Sequence, residues 1–168
     1  MSRSALYDED ILMWSEQQAE VIRRLGRARR DLPNELDIEN VAEEIESVGR
    51  SELAAVTSLI RQVLLHLIKL AVEVDATAVR HWRGEIVAFH NEIRHRYAPS
   101  MRQRIDFDEL WQSAREQQHL SYEGDQQRTL LRLPEGCPLG LDSVLAERID
   151  SDALVADLRR AAVSDGSS

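Results

Sequence analysis

Apolar residues recur along this chain at the three- and four-residue spacing of helices, and no alternating strand pattern competes with them. Ile11, Trp14, Gln18, Val21, Ile22 and Leu25 share a helical face. Asp8 is the expected N-cap of that helix, with Tyr7 and Leu12 as a hydrophobic staple. Leu32-Pro33-Asn34 breaks the pattern. A second, much longer helix is predicted from about 38 to about 74, capped by Asp37 and stapled by Leu36 and Val41. Its seam reads Ile38, Val41, Ile45, Val48, slips by one position at Gly49, and resumes as Leu53, Val56, Ile60, Val63, Leu67, Leu70 and Val74. Gly49 marks a bend or a place where another helix comes close.

The two halves of the long helix have different back faces. Glu39, Glu43 and Glu44 point away from the first half of the seam, whereas Leu65, Ile68 and Val72 occupy that side further on. A helix apolar all round is buried all round. Its second half therefore belongs in the middle of a bundle or in a subunit interface. A turn at Asp75 to Thr77 leads into a third helix, about 78 to 97, with Val79, Trp82, Ile86, Phe89, Ile93 and Tyr97 on its seam. The two form an antiparallel hairpin that sets Leu70 near Trp82 and Val63 near Phe89.

A shorter helical stretch holds Ile105, Leu110, Trp111 and Ala114, with Asp106 as its cap, and the helical signal stops at Gly124. Leu133 to Pro138 reads as a loop, followed by short helices over Leu141 to Arg148 and Ala153 to Ala162. The fold class is all-α: one helical domain over 1–163, and a frayed tail over 164–168.

Composition narrows the function. The 168 residues carry a net charge of −9, and residues 31–52 alone hold eight acids against one Arg. Such a surface repels phosphate backbones, so nucleic acid is disfavoured as a partner. The Arg23, Arg24, Arg27, Arg29, Arg30 cluster runs against that trend and reads as a solvated helix end. Cys137 is the single cysteine, so neither an internal disulfide nor a cysteine-based zinc site is possible. No apolar leader follows Met1, and the run Val63 to Val74 is broken by His66, Lys69 and Glu73. A soluble cytoplasmic protein with no membrane partner is expected.

Several motifs together are similar to a bacterial family, domain of unknown function twenty-nine. They are Tyr7-Asp8, Asp10, Trp14, Gln18-Ala19, Leu36-Asp37, Asn40, Glu43-Glu44-Ile45-Glu46, Gly49-Arg50-Ser51, His66-Leu67-Ile68-Lys69, Trp82, Ile86 and Cys137-Pro138. The resemblance spans about residues 7 to 145. It implies an all-helical domain and brings no catalytic residues with it. Gly140 stands where the family tends to place Thr or Ser as a helix cap.

The residues that invite a chemical reading are Glu43, Glu46, Glu52, His66 and His90. Helical hydrolases hold magnesium with carboxylates on facing helices. Here the acidic pair Glu43-Glu44 lacks its third acid, because Ser47 stands there, and downstream only Glu73-Val74-Asp75 follows. Glu52 falls on the apolar stripe and needs an Arg or another donor from a neighbouring helix. His66 and His90 flank facing seams without a Glu-x-x-His or His-x-x-x-His motif. No cofactor is implied. The expected function is a non-enzymatic interaction module that uses the Val63 to Val72 region to meet a protein partner or a second copy of itself. The alternatives are a metal-dependent helical hydrolase and a nucleic-acid-associated protein.

Overall fold

The computed structural model describes residues 3–73 and 76–164. The protein is all-α: among the described residues helix accounts for 79% and no strand occurs. The helices are α1 (Arg3–Glu9), α2 (Ile11–Ala28), α3 (Ile38–Val72), α4 (Ala76–Arg96), α5 (Phe107–His119), α6 (Gly124–Leu131), α7 (Leu141–Leu145) and α8 (Ser151–Ser164), with a 3₁₀ segment at Pro99–Arg104. The chain forms two compact units, Met1–Val56 with Arg96–Ile105, and Thr57–His95 with Asp106–Ser168. Helix α3 contributes its first half to one unit and its second half to the other.

In the first unit the expected cap moves by two residues. Asp8 lies inside α1, and Asp10 caps α2 by accepting from the Met13 amide at 2.9 Å. Asp10 is buried, and it also accepts from the amide and hydroxyl of Ser100 at 3.0 and 2.6 Å. One carboxylate thus satisfies a helix start and anchors a segment 90 residues away, a role Asp8 could not fill from within a helix. Tyr7 packs edge-on against Trp14, with ring centroids 4.7 Å apart, rather than acting as the staple to Leu12.

Asp37 caps α3 as expected, accepting from the Asn40 amide. The seam behind that cap differs from the one read off the large apolar residues. Ala42, Gly49, Val56, Val63 and Leu70 are all buried, seven residues apart, in one unbroken heptad row. Val41 and Val48 are exposed, and Ile38 and Ile45 only partly covered. There is no slip at Gly49; the apparent stutter comes from giving small residues no weight. Gly49 is a site of close approach: a Cβ there would collide with Ser15 Oγ and stand 3.0 Å from Leu12 Cα. At the other end of this antiparallel pair, Gly26 abuts Ile38.

In the second unit Val63 to Ile68 and Leu70 to Val72 are buried, with only Lys69 partly exposed. The chain's own helices cover this segment. Of the two places the sequence allows for it, bundle interior or subunit interface, the interior is the one observed. Helix α4 lies antiparallel to it, one residue off the expected register: His66 meets Glu85 at 2.7 Å, and Lys69 lies over Trp82, 5.5 Å from the ring centroid. The turn expected at Asp75 to Thr77 falls partly outside the described residues, as does the tail beyond Ser164.

Two shorter elements depart from expectation. Gly124, at φ +58°, does not end the helical signal but opens α6, whose one fully buried side chain is Leu130. An eight-residue helix with a single buried anchor leaves no periodic trace. Helix α7 stops at Leu145 rather than near Arg148. Beyond it the Ala146 and Glu147 carbonyls accept from His90 Nε2 and Arg94 Nη1 at 2.9 and 3.0 Å, bonds from α4 that take the place of a further helical turn. Gly140 does stand at the N-cap of α7, without a side-chain bond.

Candidate interaction surface

The acidic residues considered for metal chemistry are held by arginines. Arg23 on α2 donates to Glu39 at 2.8 Å and Glu46 at 2.9 Å, with Glu43 at 3.7 Å. Arg50 reaches Glu43 at 2.5 Å and Glu46 at 3.7 Å. The hydrogen bond to Glu39, and then that to Glu46, raise the Arg23 pKa above its ordinary value. Arg27 pairs with Glu20, and Arg29 with Asp31, so much of the basic cluster is neutralised within its own unit. The bond from Arg29 in turn holds the Asp31 carboxyl below its usual range.

Glu52 has the kind of partner its position demands. Arg96 Nη1 bonds both carboxylate oxygens, at 3.2 and 3.0 Å. Its side chain nevertheless remains 31% exposed, so this is a half-solvated pair rather than a core one.

The two histidines are buried and separately engaged. His66 Nδ1 lies 2.8 Å from the Gln62 carbonyl, which can only accept, so Nδ1 carries a proton. His66 Nε2 lies 2.7 Å from Glu85, which also faces the exposed His81 at 3.5 Å. His90 Nε2 donates to the Ala146 carbonyl. Among the described residues, no three His, Cys, Asp or Glu side chains converge as a metal site would require. Cys137 is half-buried beside Asp108, which accepts from its amide, and burial pushes its thiol up to about 11.

The feature left without an internal partner is apolar. Tyr7, Val21, Leu25, Val41 and Val48 of the first unit are 37–52% exposed. Helical geometry gathers Val21, Leu25, Val41 and Val48 on one side. Take Ser15 and Gly49 as the facing residues of α2 and α3. At about 100° per residue, Arg23 then lies about 80° to one side on α2, and Glu39 and Glu46 about 60° to 80° to that same side on α3. The observed ion pairs agree with that geometry. Trp14, Val21 and Leu25 lie about 80° to 120° to the opposite side, and Val41 and Val48 about 80° to 100° to it. In an antiparallel pair these positions form one face. The hairpin is thus charged on one side and largely apolar on the other, where Glu52, about 60° to that side of Gly49 and paired with Arg96, ends the stripe one turn beyond Val48. Glu44 borders the apolar face on α3 and Arg24 on α2, neither with an ionic partner among the described residues. An apolar pattern takes Val41 and Val48 for core because their spacing is right; only the small residues beside them show that they are not.

Helix α3 is also the described helix long and apolar enough over part of its length to cross a membrane, but 56% of that stretch is buried within the protein. Helices at the core of soluble proteins meet the same criterion.

A family model described as "Domain of unknown function DUF29" matches residues 6–149. The fold is similar to the crystal structure of an alpha-helical protein of unknown function from Rhodospirillum rubrum. Identity is 38% and the TM-score 0.80, covering 90% of this chain and 96% of that one. No curated protein matches the chain. The match spans both units and includes the acidic helix and its arginine partners, and the chain belongs to the DUF29 family.

Proposed function

We propose that this protein is a non-enzymatic interaction module that pairs with a second copy of itself through the apolar face of the α2–α3 hairpin. The observation that carries this reading is that face: large side chains at helical spacing on two adjacent helices, left open by their own unit. An exposed apolar patch bordered by polar residues is the usual mark of a protein contact. Charge favours a second copy. When two such faces meet across a twofold axis with α2 of one copy over α3 of the other, the Arg24 border meets the Glu44 border. The result is a four-helix arrangement with like charges kept apart. The Val63 to Val72 region is spent on the chain's own core and is not the contact in this reading. A cytoplasmic setting suits it.

A metal-dependent hydrolase is less well supported, because Glu43, Glu46 and Glu52 are each neutralised by an arginine. Sedimentation equilibrium tests the proposal. The wild type should sediment at twice the chain mass of 19.2 kDa. Val48→Asp, which sets a charge in the middle of the face, should sediment as a monomer with an unchanged far-ultraviolet circular dichroism spectrum. A wild type that stays monomeric at high concentration, or a Val48→Asp variant that still dimerises, would overturn it.

A further inference from the structure

The second unit carries an open pocket of about 560 Å³ among the C-terminal turn of α3, α6 and α8. That volume lies in the range of small-molecule sites. Among the described residues its lining is mainly apolar, with Val72, Leu133, Ala162 and Val163, and includes two exposed arginines, Arg132 and Arg159. Arg159 is fixed in place. Its Nη2 donates to the Leu70 carbonyl at 2.8 Å and its Nε to the Ala71 carbonyl at 3.3 Å, which caps the end of α3. Arginine has five N–H donors, so donors remain for another acceptor. Arg132 has no acidic partner among the described residues. A neighbouring cavity of about 440 Å³ also reaches Arg159. There, however, Arg83 and Arg160 are paired with Asp152 and Asp157, so its cations are already answered.

We propose that the larger cavity binds an amphipathic oxyanion, with a carboxylate or phosphate head held by Arg132 and Arg159 and a short apolar tail laid against Val72, Leu133, Ala162 and Val163. Apolar side chains and arginine donors stand together on this pocket, and that pairing of chemistries is what such a ligand matches. The site lies wholly within the second unit and does not depend on self-association.

Isothermal titration with decanoate, decyl phosphate, decanol and inorganic phosphate tests it. One or both decyl anions should bind saturably at one per chain, and which of them binds more tightly identifies the head group. Decanol should bind at least tenfold more weakly, since it lacks the charge that strengthens a hydrogen bond to arginine, and inorganic phosphate at least as weakly, since it lacks the apolar tail. Arg132→Gln should weaken the anion by about tenfold, on the same principle. Val163→Glu, at an exposed position, should abolish binding without unfolding the chain. Decanol binding as tightly as decanoate, anion affinity unchanged in both variants, or no saturable binding of either anion would overturn the proposal.

Discussion

A Cβ placed on Gly49 would collide with Ser15 Oγ and press on the Leu12 backbone, while the next residue back, Val48, is 44% exposed. Neither fact is visible in an apolar pattern, which scores valine as core and glycine as a gap. Other residues are legible in kind but not in degree. The position of Glu52 demands an arginine, and Arg96 serves it, yet the pair is open to water and is worth little. Glu52→Ala should therefore cost about 0.5–1 kcal/mol in chemical denaturation, well short of the penalty for stranding a fully buried charge. A loss of several kcal/mol would mean that the carboxylate is effectively desolvated. Cys137 is a second test at this scale. With its thiol raised to about 11, reactive thiolate forms only as the pH climbs toward that value. At pH 8 it should hold roughly a hundredfold less thiolate than an unperturbed thiol, and label correspondingly slowly with a thiol reagent. Rapid labelling at pH 8 would contradict the burial that raises it. The bonds from Ser100 to Asp10 join residues 90 positions apart, and nothing local in the sequence announces them.

At the scale of elements, long helices with many anchors are legible in the sequence and short ones are not. Helix α3 begins behind its predicted cap and ends within two residues of the predicted position, because 35 residues of periodic burial leave a strong signal. Helix α6 has one buried anchor and a glycine at its start, so it leaves none. The two halves of α3 differ in how their large residues are used. From Val63 onward nearly every side is covered, so Leu67→Asp should abolish cooperative thermal unfolding: burying an unpaired carboxylate costs several kcal/mol, comparable to the net stability of a domain. Glu43→Ala removes only a solvated ion pair, and should move the melting temperature by a few degrees at most. Similar melting for the two variants would remove the distinction between the halves.

For the whole molecule, all-α architecture and family membership are both legible, the first from spacing and the second from the clustered motifs around Glu43, Gly49 and His66. The candidate surface is not. Apolar density is what a sequence displays, and it points to the most apolar segment, Val63 to Val72, as the partner site. Folding spends that segment on the core and leaves a weaker stripe outside. What decides between the two is the pair of small buried residues Ala42 and Gly49, which lets α2 and α3 pack closely and turns Val41 and Val48 outward. The proposed dimer depends on that choice.

The most direct test is thermal unfolding of two variants at adjacent positions, followed by far-ultraviolet circular dichroism at low micromolar concentration. In this account Val48→Asp melts within a few degrees of the wild type, since its carboxylate stays in water. Gly49→Leu loses most of its cooperative transition, since overpacking at a closed contact costs about 1–3 kcal/mol or more. A Val48→Asp variant that melts as early as Gly49→Leu would show that the valine stripe is core after all, and would remove the face on which the proposed self-association rests.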